Sequence, residues 1–195
     1  MRGELMKKKT EELRVRILDG AVALFIEKGI EKVTTRELTE HLGLSRSHIY
    51  HYFKDWQSLC LAALERFMQQ ELDDLAESLA GREPHEKLSV LIKYYLPEGP
   101  DAVWQLYDSL WRLASHDAAY AELAERNMNC WMEMIADIIR EGVGLKAFRA
   151  LDAERVTRQF VAMLNGYSEN LIIHPSPEKC QLASDDLHDF IRQML

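Results

Sequence analysis

Arg46, Ser47, Tyr50, His51 and Lys54 fall on one side of a helix if residues 46 to 54 are helical, while Ile49 and Phe53 fall on the other. A guanidinium, an ammonium, a hydroxyl, an imidazole and a phenol on one face make a surface rich in hydrogen-bond donors. Arg, Ser and His can reach base edges in the major groove of duplex DNA, and Tyr, Thr and Lys can hold phosphate oxygens. The same spacing also suits a helical hairpin whose polar face is only solvated, and spacing alone leaves both readings open.

The segments that would position this face are short and strongly punctuated. Thr34 is suited to N-cap a first helix, Glu37 completes a capping box three residues on, and Val33 can staple onto Leu38. Gly43, between Leu42 and Leu44, supplies a left-handed residue that ends this helix, and Ser45 is placed to cap the next. Two helices so closely joined form a helix-turn-helix. Upstream, Leu13, Ile17, Ala21, Leu24 and Phe25 line one face of a helix expected from Thr10 to just before Gly29. Met1 to Lys9, with Arg2, Lys7, Lys8 and Lys9, is expected to be a mobile arm that either contacts phosphate or stays solvated.

Thr-Thr-Arg-Glu-Leu, Leu-Gly-Leu-Ser-Arg and Ile-Tyr-His-Tyr-Phe-Lys-Asp, taken together, resemble the DNA-binding domain of the TetR family of bacterial transcriptional regulators, from about Leu13 to Leu64. The resemblance implies a homodimeric repressor bound to a palindromic double-stranded DNA operator and released by a small-molecule inducer. It implies DNA contacts from Thr35 and Arg36 at the start of the first short helix, and from Ser45, Arg46, Ser47, His48, Tyr50, His51 and Lys54 around the second. The family often has Gly at the place of Ser47 and a small hydroxyl residue at the place of His48, so base preference does not carry over. Many members have a phosphate-anchoring Lys where this chain has Trp56, whose ring is expected to pack under the second short helix. A helical ligand-binding or scaffold protein that has lost operator binding is the main rival.

Charge is divided along the chain. The net charge is −8 over 195 residues, but residues 1–58 carry 11 Lys and Arg against 9 Asp and Glu, and the remainder 13 against 23. The acid lies away from the helix-turn-helix, as a local DNA-binding surface requires. Hydrophobic residues make up 47% and charged residues 29%, with no apolar run able to span a bilayer and no apolar stretch after the basic start that would mark a secretory leader. A cytoplasmic protein without membrane partners is expected. Cys60, Cys130 and Cys180 are expected to be reduced and mostly buried. The seven histidines lack ligand spacing, and neither a phosphate loop nor a nucleophile elbow is present. No metal, cofactor or catalysis is therefore expected.

The rest of the chain reads as helices at about 56–79, 85–96, 101–115, 118–141, 152–173 and 177–195. The fold class is all-α with about nine helices, divided into a DNA-binding domain at 1–56 and a ligand-binding and dimerisation domain at 57–195. Trp104, Tyr107, Asp108 and Trp111, with Trp131 and Met134 further on, are candidate ligand residues, with Glu133 as a second source of charge. Ordinary core packing is the competing reading for each of them. The segment VWQLYDSLW followed by REGVGLKAF resembles the C-terminal domain of a TetR subgroup that includes choline-responsive regulators. That resemblance implies a quaternary ammonium or aromatic inducer held by cation–π attraction. Phe160, Leu164, Tyr167, Leu171, Leu187, Phe190, Ile191 and Met194 offer more apolar surface than one helical layer readily buries, and are the candidate dimer interface.

Overall fold

The computed structural model describes residues 2–195, with side chains from Lys8 onwards. Among the described residues there are nine α-helices, one 3-10 turn at Ile30–Lys32 and no strand. The helices are α1 (Arg2–Lys28), α2 (Thr35–Leu42), α3 (Arg46–Tyr52), α4 (Trp56–Leu79), α5 (Pro84–Tyr95), α6 (Ala102–Ala114), α7 (Ala118–Gly144), α8 (Ala153–Ile173) and α9 (Pro177–Met194).

Two boundaries differ from the sequence reading. The segment expected to be an arm is helical from Arg2, and Met1 lies outside the described residues. Glu, Leu, Met and Lys are good helix formers, and extending a helix already held by packing costs far less than starting one. Likewise α7 does not stop before Gly142 but runs on to Gly144. Gly142 is buried, and a Cβ on it would stand 2.1 Å from Cδ2 of Phe148. The glycine gives the Phe148 ring its seat against α7, and its carbonyl accepts from the N–H groups of Ala147 and Phe148 at 2.9 and 3.0 Å. Gly142→Val is therefore expected to cost roughly 1–3 kcal/mol by overpacking, read as an earlier midpoint in urea at unchanged slope.

The chain forms two compact units. The first comprises residues 1–71 and 105–124, and the second residues 72–104 and 125–195. Within the first, α2 packs on α1 and on α3. Gly20 on α1 lets Leu42 of α2 approach, and Arg16 donates from Nη2 to the Leu42 carbonyl at 2.9 Å. Ile17, Ala21, Leu38, Ile49 and Leu59 are fully buried. In the second unit α8 and α9 pack on each other and on α5, around a core that includes Leu88, Leu91, Trp131, Phe160, Leu164 and Leu187. Arg140 joins α7 to the start of α8, bonding Glu133 at 3.0 Å, Glu154 at 2.7 Å and also Asp137. Opposite charges on two helices hold that guanidinium ionised well above its ordinary range. None of the described helices is long and apolar enough to cross a membrane.

Candidate nucleic-acid interface and ligand site

The start of α2 is fixed by a reciprocal cap. Glu37 N–H donates to Thr34 Oγ1 at 3.3 Å, and Thr34 N–H donates to Glu37 Oε2 at 2.9 Å. The backbone bond from Thr34, its hydroxyl and the Lys28 ammonium together hold the Glu37 carboxyl below its usual range. Val33 and Leu38 are both buried, as a hydrophobic staple requires. At the other end Gly43 is left-handed (φ 65°, ψ 34°), and Leu44 N–H reaches back to the Thr39 carbonyl at 3.0 Å. A turn this tight needs a residue without a Cβ.

Burial of Ile49 and Phe53 then orients α3. With those two inside, Ser45, Arg46, Ser47, His48, Tyr50, His51 and Lys54 are all exposed. Arg14 lies over the Phe53 ring at 5.7 Å and braces the end of the helix. Tyr50 reaches across to α2, its hydroxyl 3.2 Å from Thr35 Oγ1, so Thr35 and Tyr50 present their hydroxyls together. Arg36 is exposed but committed, its Nε donating to Glu40 at 2.8 Å. Among the described residues no side-chain hydrogen bond or ion pair engages Arg46 or Lys54, while the Asp55 carboxyl is lowered by its backbone and side-chain bonds with Ser58 and, to a smaller degree, by the Lys54 charge. Trp56 takes a packing role, its ring meeting Phe25 of α1 edge-on at 6.4 Å. The α4 start is capped by Asp55, which accepts from Ser58 N–H at 2.7 Å.

Ser45 departs from its expected role. It occupies the N-cap position of α3, but its side chain makes no capping bond to the backbone. Its hydroxyl is taken up by His48 Nδ1 at 2.7 Å and Ser47 Oγ at 2.8 Å.

The six residues expected to bind ligand are divided between the units. Tyr107, Asp108 and Trp111 belong to the first, and Trp104, Trp131 and Met134 to the second. In the first unit Tyr107 is buried against Phe67 at 6.1 Å and stacks on Trp111, which is 37% exposed. Asp108 pairs with Arg112 at 3.6 Å and lines an open cavity of about 360 Å³ with Phe25, Lys28, Glu31 and Lys32. In the second unit Trp104 and Trp131 meet edge-on with Tyr95 at 5.0 and 5.7 Å, and Tyr94 lies 5.9 Å from Trp131. Met134 packs against the same core. Tyr95 donates to Asn165 Oδ1 at 2.9 Å, and burial pushes its phenol up to about 12. Sequence reasoning missed Tyr94 and Tyr95; their signal was an adjacent aromatic pair closing a helix just before Pro97. Glu133, the alternative source of charge, is engaged by Arg140.

Of the eight residues expected at the dimer interface, Phe160, Leu164, Leu171, Leu187 and Ile191 are buried within the single chain, while Tyr167, Phe190 and Met194 are half-buried. Tyr167 donates to Asp186 at 2.5 Å, and Phe190 stacks on Phe160 at 6.2 Å, so both tie α8 to α9. Burial pushes the Cys60 thiol up to about 12, and Cys180 is partly buried, but Cys130 is exposed, contrary to expectation. It stands at an exposed position on α7.

A capped helix, a left-handed glycine turn and a second helix with a donor-rich outer face define a helix-turn-helix module within an all-α chain. Residues 17–63 match the family model described as bacterial regulatory proteins of the tetR family, and residues 84–195, more than half the chain, match the one described as the C-terminal domain of BetI-type transcriptional repressors. A helix-turn-helix transcriptional regulator of Xanthobacter autotrophicus is 24% identical over 185 residues, covering 92% of this chain and 89% of its own. A TetR transcription regulator of Haloarcula marismortui shares the fold with a TM-score of 0.82 at 19% identity, over 97% of this chain and 99% of its own. A transcriptional regulator of Saccharomonospora viridis, solved in complex with choline, shares it with a TM-score of 0.79 at 24% identity, over 93% and 96%. The chain belongs to the TetR family of transcriptional regulators, whose typical action is ligand-responsive repression.

Proposed function

We propose that the protein works in the cytoplasm as a homodimeric repressor, reading a palindromic operator through α3 and leaving it when a small cation occupies the C-terminal domain. Its role is regulatory and not catalytic. The observation that carries this reading is the outer face of α3, where seven polar, basic and aromatic side chains stand exposed over the buried anchors Ile49 and Phe53. Thr35 and Tyr50 would hold phosphate together, and Arg46, Ser47, His48 and His51 would meet bases, with Ser45, Arg36 and Lys54 at the margins. On this reading the functional boundary falls near residues 56 and 57, where the reading helices end and α4 begins. Retarded migration of labelled duplex tests it: binding should favour one palindrome over random DNA and fall steeply with salt. Equal binding to all duplexes would refute a sequence-specific role.

For the inducer, Trp104 and Trp131 with Tyr94, Tyr95 and Met134 form the proposed site, and a quaternary ammonium compound is the proposed class. Indole and phenol faces attract such cations, by ~2 kcal/mol or more once water is excluded. Support comes from the ring cluster itself and from the choline bound to the Saccharomonospora viridis regulator. Tyr107, Asp108 and Trp111 serve as the contrasting set. Trp131→Phe is expected to weaken choline binding about tenfold, since Trp is the best cation–π face, while Trp111→Phe leaves it unchanged. The shift of melting temperature with choline concentration measures both. If neutral apolar compounds alone raise the melting temperature, the cation site is wrong. Ligand and operator must weaken each other equally, by about 1–3 kcal/mol.

A further inference from the structure

Serine is among the strongest N-cap residues because its oxygen accepts from the first turn of the helix. Thr34 does this for α2, while Ser45, with extended backbone at φ −86° and ψ 158°, does not do it for α3. A helix of seven residues thus forgoes a bond it could have made, and the hydroxyl serves a ring instead. Ser45 lies 2.7 Å from Nδ1 of His48, Ser47 lies 2.8 Å from Ser45, and all three residues are exposed on the face assigned above to DNA.

The direction of this short chain depends on which ring nitrogen of His48 carries the proton. Ser45 has one proton to give and two neighbours, a hydroxyl oxygen and an imidazole nitrogen, of which the nitrogen lone pair is the better acceptor. In the tautomer with its proton on Nε2 that lone pair is on Nδ1, so Ser47 donates to Ser45 and Ser45 donates to Nδ1. With Nδ1 accepting, the neutral ring carries its proton on Nε2. Turning the ring over would break the bond to Ser45, so Nε2–H is left as a fixed outward donor. Protonating the imidazole would leave that outer nitrogen a donor too.

We propose that His48, positioned by Ser45, is a specificity-determining residue that donates from Nε2 to the acceptor edge of guanine in the major groove. Guanine offers N7 and O6 side by side, whereas adenine sets an amino donor beside N7, and cytosine presents a donor. Ser45 acts only through His48 and is a positioning residue. The inference rests on the reading of α3 as the DNA-contacting helix.

Selection from a pool of randomised duplexes tests it, using the full chain, His48→Ala, Ser45→Ala and Ser45→Thr, with the bound fraction sequenced. The unaltered chain should prefer guanine at one base pair in each half-site. His48→Ala should relax that preference about tenfold to a hundredfold at this pair alone. Ser45→Ala should relax it about threefold to tenfold at the same pair, as one hydrogen bond is worth, and Ser45→Thr, which keeps the hydroxyl, should restore it. Loss spread evenly over all positions after Ser45→Ala would mean a frayed helix and would overturn the positioning role. Unchanged base preference after His48→Ala, or a preference for an A·T pair at the affected position, would overturn the inference while leaving DNA binding intact. Should the unaltered chain select no sequence at all, both the reading of α3 and this inference fail.

Discussion

Arg46→Ala combined with Lys54→Ala is expected to weaken binding to the preferred duplex by about a hundredfold, and to reduce the slope of log affinity against log salt by about one, the share of Lys54, while loss of Arg46 relaxes base preference. Each Lys or Arg that meets a phosphate releases condensed counterions, which sets the slope, and each charge-assisted contact is worth about 1.5 kcal/mol or more. These two cations are chosen because the protein does not otherwise employ them in close pairs. Arg14 braces Phe53, Arg16 is bonded to the Leu42 carbonyl, and Arg36 is held by Glu40, so three nearby guanidiniums already have partners. Both Arg46 and Lys54 are exposed, and their removal should leave stability within about 0.5 kcal/mol. Fluorescence anisotropy at several salt concentrations gives affinity and slope together. An unchanged slope would show that Lys54 does not sit on phosphate. Arg36→Ala is the comparator, and its effect should be smaller because Glu40 already competes for the guanidinium.

The parts of this site legible in the sequence were those decided by neighbours a few residues away. Thr34 with Glu37 and Gly43 after Leu42 form a local cap and turn, both present in the structure, and Val33 and Leu38 are both buried. The exposed face of α3 was equally legible, because periodicity alone separates Ile49 and Phe53 from Arg46, Tyr50 and Lys54. What periodicity does not encode is which element a helical face meets. Trp104, Tyr107 and Trp111 share a face of α6 by spacing, yet Trp104 packs with Tyr95 in one compact unit, and Tyr107 with Phe67 in the other. Tyr95 comes from α5 and joins Trp104 and Trp131 only through tertiary packing. Ser45 shows the same limit on a smaller scale: its type and position predicted a cap, and a side chain three residues on claimed the hydroxyl. Propensity set the default, and a competing acceptor overrode it.

Phe160→Ala is expected to destabilise the fold by about 3–5 kcal/mol, whereas Ile173→Asp with Leu182→Asp should leave a folded chain that no longer pairs with a second copy. The contrast follows from what each side chain touches. Phe160 is 1% exposed and stacks on Phe190, so removing its ring opens a cavity between α8 and α9. Leu164 and Leu187 stand in the same core. Ile173 and Leu182, at 69% and 60% exposed, are the large apolar side chains that α8 and α9 leave in solvent. Further back along α8, Ala162 and Gly166 are also exposed, and small residues allow close approach of a second helix. A two-fold pairing through these outer faces would keep the inner faces for each chain's own core. Chemical denaturation should register the Phe160→Ala loss as an earlier midpoint. Light scattering at micromolar concentration should then give a dimer for the unaltered chain and a monomer for the Ile173→Asp, Leu182→Asp variant, with the melting of α8 and α9 otherwise preserved. A dimer that survives both charges would move the interface off this surface, and a monomeric unaltered chain would remove the two-fold reading of a palindrome.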